Sequence, residues 1–214
     1  MSERTPVGVL VSGAGTNLDA LLQACRAPDF PARVALVISN RRSAHALDVA
    51  LGWNVQAVAL PQSDFGGDAV ARDREMHRRF HAAGVRLVVC AGYERILSDE
   101  FLDAYPDAIL NVHPSLLPAF AGGMDAVERA IARGVRVTGC TVQLLERGEA
   151  DGGPIVLQAP VPVEMDDDAA TLRQRIHECE WELLPRAVAL WCTDRLQRAG
   201  DRIRVLPAPA AVPV

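Results

Sequence analysis

Two short motifs contain three polar side chains whose types suit acyl transfer. Asn111 and His113 begin the segment Asn-Val-His-Pro-Ser-Leu-Leu-Pro (111–118), and Asp151 begins Asp-Gly-Gly-Pro (151–154). Alternate residues of an extended chain point the same way, so Asn111 and His113 are predicted to lie on one face of a strand. An amide, an imidazole and a carboxylate can build and collapse a tetrahedral oxyanion, which predicts an acyl-transfer site.

The strand that would carry these two residues belongs to a regular alternation of apolar runs and helical patterns. Apolar residues at helical spacing predict helices at 17–26, 44–51 and 69–83. Short apolar runs predict strands at 7–12, 34–39, 55–60, 87–91 and 109–112. This alternation predicts a parallel sheet covered by helices on both faces. Open sheets of that kind bind ligands at the carboxyl ends of their strands, where Asn111 and His113 would lie.

The pattern changes after residue 118. A short helix is predicted at 126–132. Two extended runs, 138–145 and 155–163, are predicted to pair antiparallel around the polar turn that holds Asp151.

The C-terminal part is predicted to form one long helix and a tail. Acidic residues before position 169 favour a helix start there, and the helix is predicted to reach about residue 196. The proline-rich segment 206–214 is predicted to lack regular structure. The whole pattern predicts an α/β fold with three layers and a mostly parallel, Rossmann-like open sheet, to which a C-terminal antiparallel β extension and a long C-terminal helix are added. Residues 1–214 would form a single domain with a phosphate-binding half, a catalytic half and a tail, at about 7–112, about 113–198 and 199–214.

The loop between the first predicted strand and helix, Ser-Gly-Ala-Gly-Thr-Asn (12–17), is a candidate phosphate site. Glycines let the backbone approach a ligand, and a helix start offers free N–H groups and the positive end of its dipole. The dinucleotide pattern G-x-G-x-x-G is not met, because Leu18 occupies its last position and Asn40, not an acid, follows the second strand. The alternative is a tight turn in which Thr16 or Asn17 only caps the helix.

The basic residues exclude several enzyme classes. All 22 of them are arginine, so a Walker A lysine, a kinase strand lysine and a lysine Schiff base are all excluded. A bound phosphate would therefore be held by backbone amides, hydroxyl groups or arginine. The formal net charge of −5 argues against a nucleic-acid surface.

The remaining composition predicts a soluble, globular protein without a metal site. No apolar window reaches the length of a membrane span, and the N-terminus lacks the basic and apolar regions of a signal peptide. The five cysteines form no C-x-x-C pair, which indicates reduced, mostly buried thiols and no zinc site. We therefore expect a cytoplasmic location, with neither a membrane nor a nucleic acid as partner.

Each candidate residue taken alone also has a plainer interpretation. Asn111 could be a turn residue, His113 a buried core histidine and Asp151 part of a hairpin turn. Arg95, in Ala-Gly-Tyr-Glu-Arg-Ile-Leu (91–97), could bind a ligand carboxylate or cap a helix. The order in which the motifs occur favours the functional interpretation.

In that order the motifs resemble those of the phosphoribosylglycinamide formyltransferases, folate-dependent enzymes of purine synthesis. The resemblance runs from about residue 7 to residue 198. It rests on five segments: Val-Ser-Gly-Ala-Gly-Thr-Asn-Leu (11–18), Ala-Gly-Tyr-Glu-Arg-Ile-Leu (91–97), Asn-Val-His-Pro-Ser-Leu-Leu-Pro (111–118), Val-Thr-Gly-Cys-Thr-Val (137–142) and Asp-Gly-Gly-Pro-Ile (151–155).

The resemblance implies a role for each candidate residue. The catalytic residues would be Asn111, His113 and Asp151. The phosphate of glycinamide ribonucleotide would be held by Gly13, Gly15, Thr16 and Asn17, and its ribose by Glu180. The pterin of the co-substrate 10-formyltetrahydrofolate would lie in a slot formed by the Asp151 loop together with Tyr93, Arg95, Ile96, Leu97 and Gln143. No metal is implied, and the protein would be a monomer or a homodimer with small-molecule substrates.

The implied mechanism is attack of the substrate amine on the formyl carbon. Asn111 would donate a hydrogen bond to the oxyanion, and Asp151 would favour a protonated His113, because a nearby carboxylate raises a histidine pKa. The chain departs from the family pattern at Gln143, Glu94 and Trp181, where relatives usually have histidine, methionine and histidine. Alternatives are another enzyme that transfers or hydrolyses the formyl group of formyl-folate, and a non-catalytic relative that binds folate or a nucleotide.

Overall fold

The computed structural model describes residues 3–148 and 150–208. Strands and helices alternate up to residue 113, as predicted: β1 (Thr5–Val11), α1 (Thr16–Ala24), β2 (Ala32–Ser39), α2 (His45–Gly52), β3 (Ala57–Ala59), α3 (Ala69–Ala82), β4 (Leu87–Cys90), α4 (Asp99–Ala104) and β5 (Ile109–His113). A 3-10 helix at Gln62–Phe65 precedes α3. Helix α4 was not predicted; it begins where the Ser98 hydroxyl accepts a hydrogen bond from the N–H of Phe101.

The second half contains the predicted antiparallel pair and long helix, followed by a hairpin that was not predicted. Its elements are α5 (Ala126–Ala132), β6 (Val137–Leu144), β7 (Ile155–Pro162), α6 (Ala169–Cys192), β8 (Leu196–Ala199) and β9 (Arg202–Val205). The prediction of a helix to residue 196 is wrong: α6 ends at Cys192, and Asp194 takes a φ of 53°, which turns the chain away from the helix. The hairpin occupies part of the predicted tail, whose residues 209–214 lie outside the described part of the chain.

One seven-stranded sheet of order β3-β2-β1-β4-β5-β6-β7 organises the fold. Strands β1 to β5 are parallel, and β6 and β7 continue the sheet in antiparallel pairing. The carboxyl ends of β1, β4 and β5 therefore meet at one edge, which brings the loops after residues 11, 90 and 113 together. The predicted α/β fold is confirmed.

Two apolar clusters, one on each face of the sheet, hold the helices against it, so the fold has three layers. One cluster joins one face of the sheet, including Val9 and Val142, to α1 and α6; the other joins the opposite face, including Leu10, to α3 and α4. At Gly8 an added Cβ would lie 2.6 Å from the ring of Phe80, so glycine lets α3 pack directly on β1. The central strands β1 and β4 are thus buried on both sides, and the polar residues that follow their carboxyl ends adjoin an apolar core.

Candidate active site

Strands β5 and β6 present a row of polar side chains on one face. Asn111 and His113 alternate on β5 with Val112, which belongs to the apolar cluster on the opposite face. Directly across the antiparallel pair, Asn111 faces Gln143 and His113 faces Thr141 on β6. The prediction that Asn111 and His113 share a face is therefore met, and β6 adds two polar neighbours beside them.

Asp151 meets His113 in this structure. Its Oδ2 lies 3.4 Å from His113 Nδ1 and accepts a hydrogen bond of 2.9 Å from the backbone N–H of Gly122. Its Oδ1 accepts a 3.1 Å hydrogen bond from Gln143 Nε2. Donors from the loop after β5 and from β6 therefore fix a carboxylate that comes from the β6–β7 turn. Sequence reasoning missed Gly122, because no local pattern marks a backbone donor.

Burial favours the neutral form of His113 in this arrangement. Burial lowers the pKa of His113 below its usual value, while the Asp151 carboxylate and a backbone hydrogen bond with Phe120 act in the raising direction. Burial has the larger effect, and Arg129 adds to the lowering. Asp151 acts toward the protonated form, as expected, but in the ligand-free site burial outweighs its effect on the pKa of His113.

The proton on the neutral imidazole can be assigned from its neighbours. Since Nδ1 faces the acceptor oxygens of Asp151, that nitrogen carries the proton and Nε2 carries a lone pair. His113 Nε2 is buried and has no hydrogen-bond partner among residues 3–148 and 150–208. A buried imidazole nitrogen with a free lone pair is suited to take a proton from an attacking amine.

The loop that follows His113 is held in place by polar side chains of β6 and β7. Thr141 Oγ1 donates to the carbonyl of Ser115 at 2.7 Å and accepts from the N–H of Leu117 at 3.0 Å. Gln158 Nε2 donates to the carbonyl of Leu117 at 2.9 Å. These bonds tie the loop that follows His113 to β6 and β7.

The candidate phosphate loop ends in an uncapped helix. Gly15 is the N-cap residue of α1, with a φ of 83° that favours glycine, and no side chain caps the helix. An added Cβ on Gly15 would lie 2.7 Å from Cα of Ala46, so glycine also permits the close approach of α2. The alternative in which Thr16 or Asn17 caps the helix is therefore wrong, and the first N–H groups of α1 are left for a ligand.

Asn17 and Glu180 contact each other next to this loop. Glu180 is 3% exposed, and one of its carboxylate oxygens accepts a 2.7 Å hydrogen bond from Asn17 Nδ2. Burial raises the pKa of Glu180 to about 7, although the bond from Asn17 lowers it. The packing of α6 on α1 thus brings two of the predicted substrate-binding residues together.

A cavity of about 710 Å³ opens beside the phosphate loop. Its walls come from the loop and from three helices, and it is lined by Ala14, Gly15, Thr16, Asp19, Ala20, Gln23, His45, Val49, Glu178, Trp181 and Glu182. The cavity is large enough for a nucleotide-sized molecule, and its volume lies within the usual range for ligand sites. Trp181, one of the departures from the family pattern, forms part of its wall.

Burial of Glu180 predicts a pH-dependent stability. Its pKa is raised from 4.5 to about 7 on folding, so the folded protein binds the proton more tightly than the unfolded chain does. The free energy of unfolding should therefore fall as pH rises between these two values, by about 3 kcal/mol in all. Urea unfolding at about pH 5 and about pH 8 measures this fall, and Glu180→Gln should remove most of it. An equal fall in the variant would assign the effect to other groups.

Four of the predicted pterin-slot residues, Tyr93, Arg95, Ile96 and Leu97, lie in the loop after β4, whereas Gln143 lies on β6. The Ser12 hydroxyl accepts a 2.8 Å hydrogen bond from the N–H of Glu94, which ties this loop to the end of β1. Ile96 is 84% exposed, whereas Leu97 is buried in the apolar cluster below. With its carboxamide turned so that both ends are satisfied, Asn40 accepts from Arg95 Nε at 3.3 Å. Of these residues, Ile96 is exposed and Arg95 is held by Asn40.

A buried ion pair that sequence reasoning missed supports this loop from below. Arg72 and Asp73 on α3 are each 1% exposed; Arg72 Nε donates to Asp73 Oδ1 at 2.9 Å, and Asp73 Oδ2 accepts from the N–H of Ser98 at 2.7 Å. Charged residues in an amphipathic helix usually face solvent, so their types alone do not indicate burial.

Loss of this ion pair should be costly. Asp73→Ala leaves the Arg72 charge buried without a partner, and we expect the free energy of unfolding to fall by about 3–5 kcal/mol in urea titrations. The matched control is Glu100→Ala, which removes the exposed partner of Arg74 on the same helix. That variant should unfold nearly like the wild type. Equal losses in both variants would contradict a special role of the buried pair.

The described residues contain neither a cluster of metal ligands nor a membrane-spanning helix. Within 3–148 and 150–208 no group of three or more His, Cys, Asp or Glu side chains is placed to hold a metal ion. Across the same ranges, no helix has both the length and the apolar character needed to cross a membrane.

Comparison with known proteins identifies the family. A sequence model described as "Formyl transferase" matches residues 6–188. The chain is 35% identical over 204 residues to phosphoribosylglycinamide formyltransferase of Haemophilus influenzae, covering 95% of this chain and 94% of that protein.

Solved structures give the same result. Glycinamide ribonucleotide transformylase 1 from Symbiobacterium toebii has a TM-score of 0.93 and 42% identity, covering 97% of this chain and 96% of that one. A formyltetrahydrofolate deformylase from Pseudomonas syringae has a TM-score of 0.87 and 25% identity, but this chain covers only 67% of it. The chain therefore belongs to the formyl transferase family and, within it, to the phosphoribosylglycinamide formyltransferases of purine biosynthesis.

Proposed function

We propose that Asn111, His113 and Asp151 catalyse transfer of the formyl group from 10-formyltetrahydrofolate to the amine of glycinamide ribonucleotide. The observation that carries this proposal is the 3.4 Å contact between His113 Nδ1 and Asp151 Oδ2, on the strand face that also carries Asn111. An amide donor, an imidazole with a free lone pair and a fixed carboxylate are the groups that such a transfer requires.

In the first step the amine nitrogen attacks the formyl carbon, and the carbonyl oxygen becomes an oxyanion. Asn111 donates a hydrogen bond to that oxygen. His113 Nε2 takes a proton from the attacking nitrogen, and the imidazolium that forms is stabilised by Asp151 and lies beside the oxyanion. Charge thus develops on His113 during the reaction, which is consistent with its neutral state before it.

In the second step the oxyanion collapses, and the bond between the formyl carbon and N10 of the folate breaks. His113 returns its proton to N10, so tetrahydrofolate leaves neutral at that nitrogen and the formyl group ends as an amide on the ribonucleotide. No proton is gained or lost overall, and the imidazole is restored for the next turnover.

The nucleotide half of the substrate would occupy the cavity beside the phosphate loop. The N-terminal N–H groups of α1 and the backbone of Gly13 and Gly15 would hold the phosphate, with Thr16 as a hydroxyl donor. Asn17 would orient Glu180 by their 2.7 Å hydrogen bond, and Glu180 would accept from the ribose hydroxyls. The uncapped helix start supports this placement of the phosphate, and Gly15 and Thr16 belong to the cavity lining.

The folate half would enter from the other side, along the loop after β4. Ile96 offers exposed apolar surface to the pterin, and the Asp151 turn would form the opposite wall. Tyr93, Leu97 and Gln143 would support this slot from behind, and Arg95 would stand at its rim.

A steady-state assay with both substrates tests the proposal, with folate absorbance as the readout. We expect turnover that requires glycinamide ribonucleotide. Release of formate at the same rate without it would favour hydrolysis, a function suggested by the similarity to the deformylase fold. Tight folate binding in calorimetry without turnover would favour a non-catalytic relative.

A further inference from the structure

A buried carboxamide stands between the groups of the proposed catalytic site. Gln143 is 0% exposed and lies directly across the β5–β6 pair from Asn111. Its Nε2 donates a 3.1 Å hydrogen bond to Asp151 Oδ1. Its Oε1 is buried and has no partner in the part of the chain that the structure describes. The one side-chain hydrogen bond that Gln143 makes in the described part of the chain is therefore the one to the carboxylate of Asp151.

That bond determines how the carboxylate can be oriented. Asp151 lies on a turn with a φ of 59°, so its backbone is not held by a strand or a helix. Its Oδ2 is fixed by the N–H of Gly122 and faces His113, and its Oδ1 is fixed by Gln143. A carboxylate held at one oxygen can rotate about the bond that joins it to Cβ. Holding the second oxygen stops that rotation and keeps Oδ2 toward the imidazole.

We propose that Gln143 is a positioning residue of the formyl transfer, which acts by holding Asp151 against His113. The inference rests on the proposed roles of Asp151 and His113. A carboxamide is suited to this task because it donates to the carboxylate without gaining or losing a proton itself. His113 then remains free to titrate against a fixed partner, with Arg129 on α5 as the further charge that acts on it.

Three substitutions separate this role from simple packing. Gln143→Met keeps the length of the side chain and removes the donor. Gln143→Asn keeps the amide but is one methylene too short to reach Asp151. Gln143→His keeps an N–H donor of similar reach. The control is Gln62→Met, which removes an amide hydrogen bond to the carbonyl of Gly67 in the segment before α3, where no proposed site residue lies.

Two readouts are measured on the full chain. In steady-state assays the Met and Asn variants should lose roughly 10–100-fold in kcat while KM for glycinamide ribonucleotide changes less than about threefold. The His variant should stay within about threefold of the wild type, and so should Gln62→Met. In NMR titrations of the ligand-free protein, His113 should titrate at a lower pH in the Met and Asn variants, because Asp151 opposes the effect of burial less well.

The outcomes distinguish this inference from the proposed function. Absence of turnover in the wild type would count against the proposed function, and the His113 titration would still decide the role of Gln143. Wild-type turnover together with unchanged kcat and unchanged His113 titration in both the Met and Asn variants would overturn the inference. A loss of kcat without a change in the titration would also overturn it, because Gln143 would then act by a route other than Asp151. Should Gln143→Met fail to fold, Gln143→Asn carries the same expectation.

Discussion

Asn111→Ala and His113→Ala are each expected to lower kcat by about 10²–10³ while the protein stays folded, because each removes one group that stabilises the oxyanion or moves the proton. Both side chains project from a strand whose other face is in the core, so truncation removes chemistry and leaves the sheet pairing in place. Steady-state turnover with both substrates measures the loss.

The matched control for the histidine is His81→Ala, an exposed histidine in the last turn of α3. It should retain wild-type kcat. Circular dichroism and thermal unfolding show whether each variant is folded. Near-normal turnover in both Asn111→Ala and His113→Ala would refute the assignment of these residues to catalysis.

Gly15→Ala is expected to raise KM for glycinamide ribonucleotide and to destabilise the fold. The added Cβ would lie 2.7 Å from Cα of Ala46, and the φ of 83° is unfavourable for alanine. Backbone has to move, so the start of α1 shifts relative to α2 at the proposed phosphate site. We expect KM for glycinamide ribonucleotide to rise by about tenfold or more, and the free energy of unfolding to fall by about 2–4 kcal/mol.

Gly52→Ala is the matched control, because it lies at the end of α2, has no atom within 4 Å of the added Cβ and has no positive φ. It should change neither KM nor stability appreciably. If Gly15→Ala behaves like this control, the first turn of α1 does not hold the phosphate.

Sequence periodicity was sufficient to predict the elements that carry the site. Short apolar runs separated by helical patterns have few solutions other than a covered parallel sheet, and the alternation in β5 places Asn111 and His113 on one face whatever the tertiary details. Glycine at position 15 likewise indicated the turn at which α1 begins. These predictions depend only on local backbone geometry, which the residue types and their spacing determine.

Other features depend on contacts between distant segments, and local pattern does not contain them. The bond from Gly122 to Asp151 and the burial of Arg72 with Asp73 arise only when loops and helices are in place. The pKa of His113 also depends on distant segments. A nearby carboxylate raises a histidine pKa, but the burial of His113, which the sequence does not show, lowers it by more. Helix α4 is too short for periodicity to detect, although Ser98 followed by two acids was an available cap signal.

A crystal structure with glycinamide ribonucleotide and an unreactive analogue of 10-formyltetrahydrofolate tests most directly whether the three side chains act on one carbonyl. The account predicts the formyl oxygen within hydrogen-bonding distance of Asn111 Nδ2, His113 Nε2 facing the substrate amine, and Asp151 in contact with His113 Nδ1. A formyl group bound away from Asn111, or an Asp151 turned from His113 when both ligands are present, would contradict it.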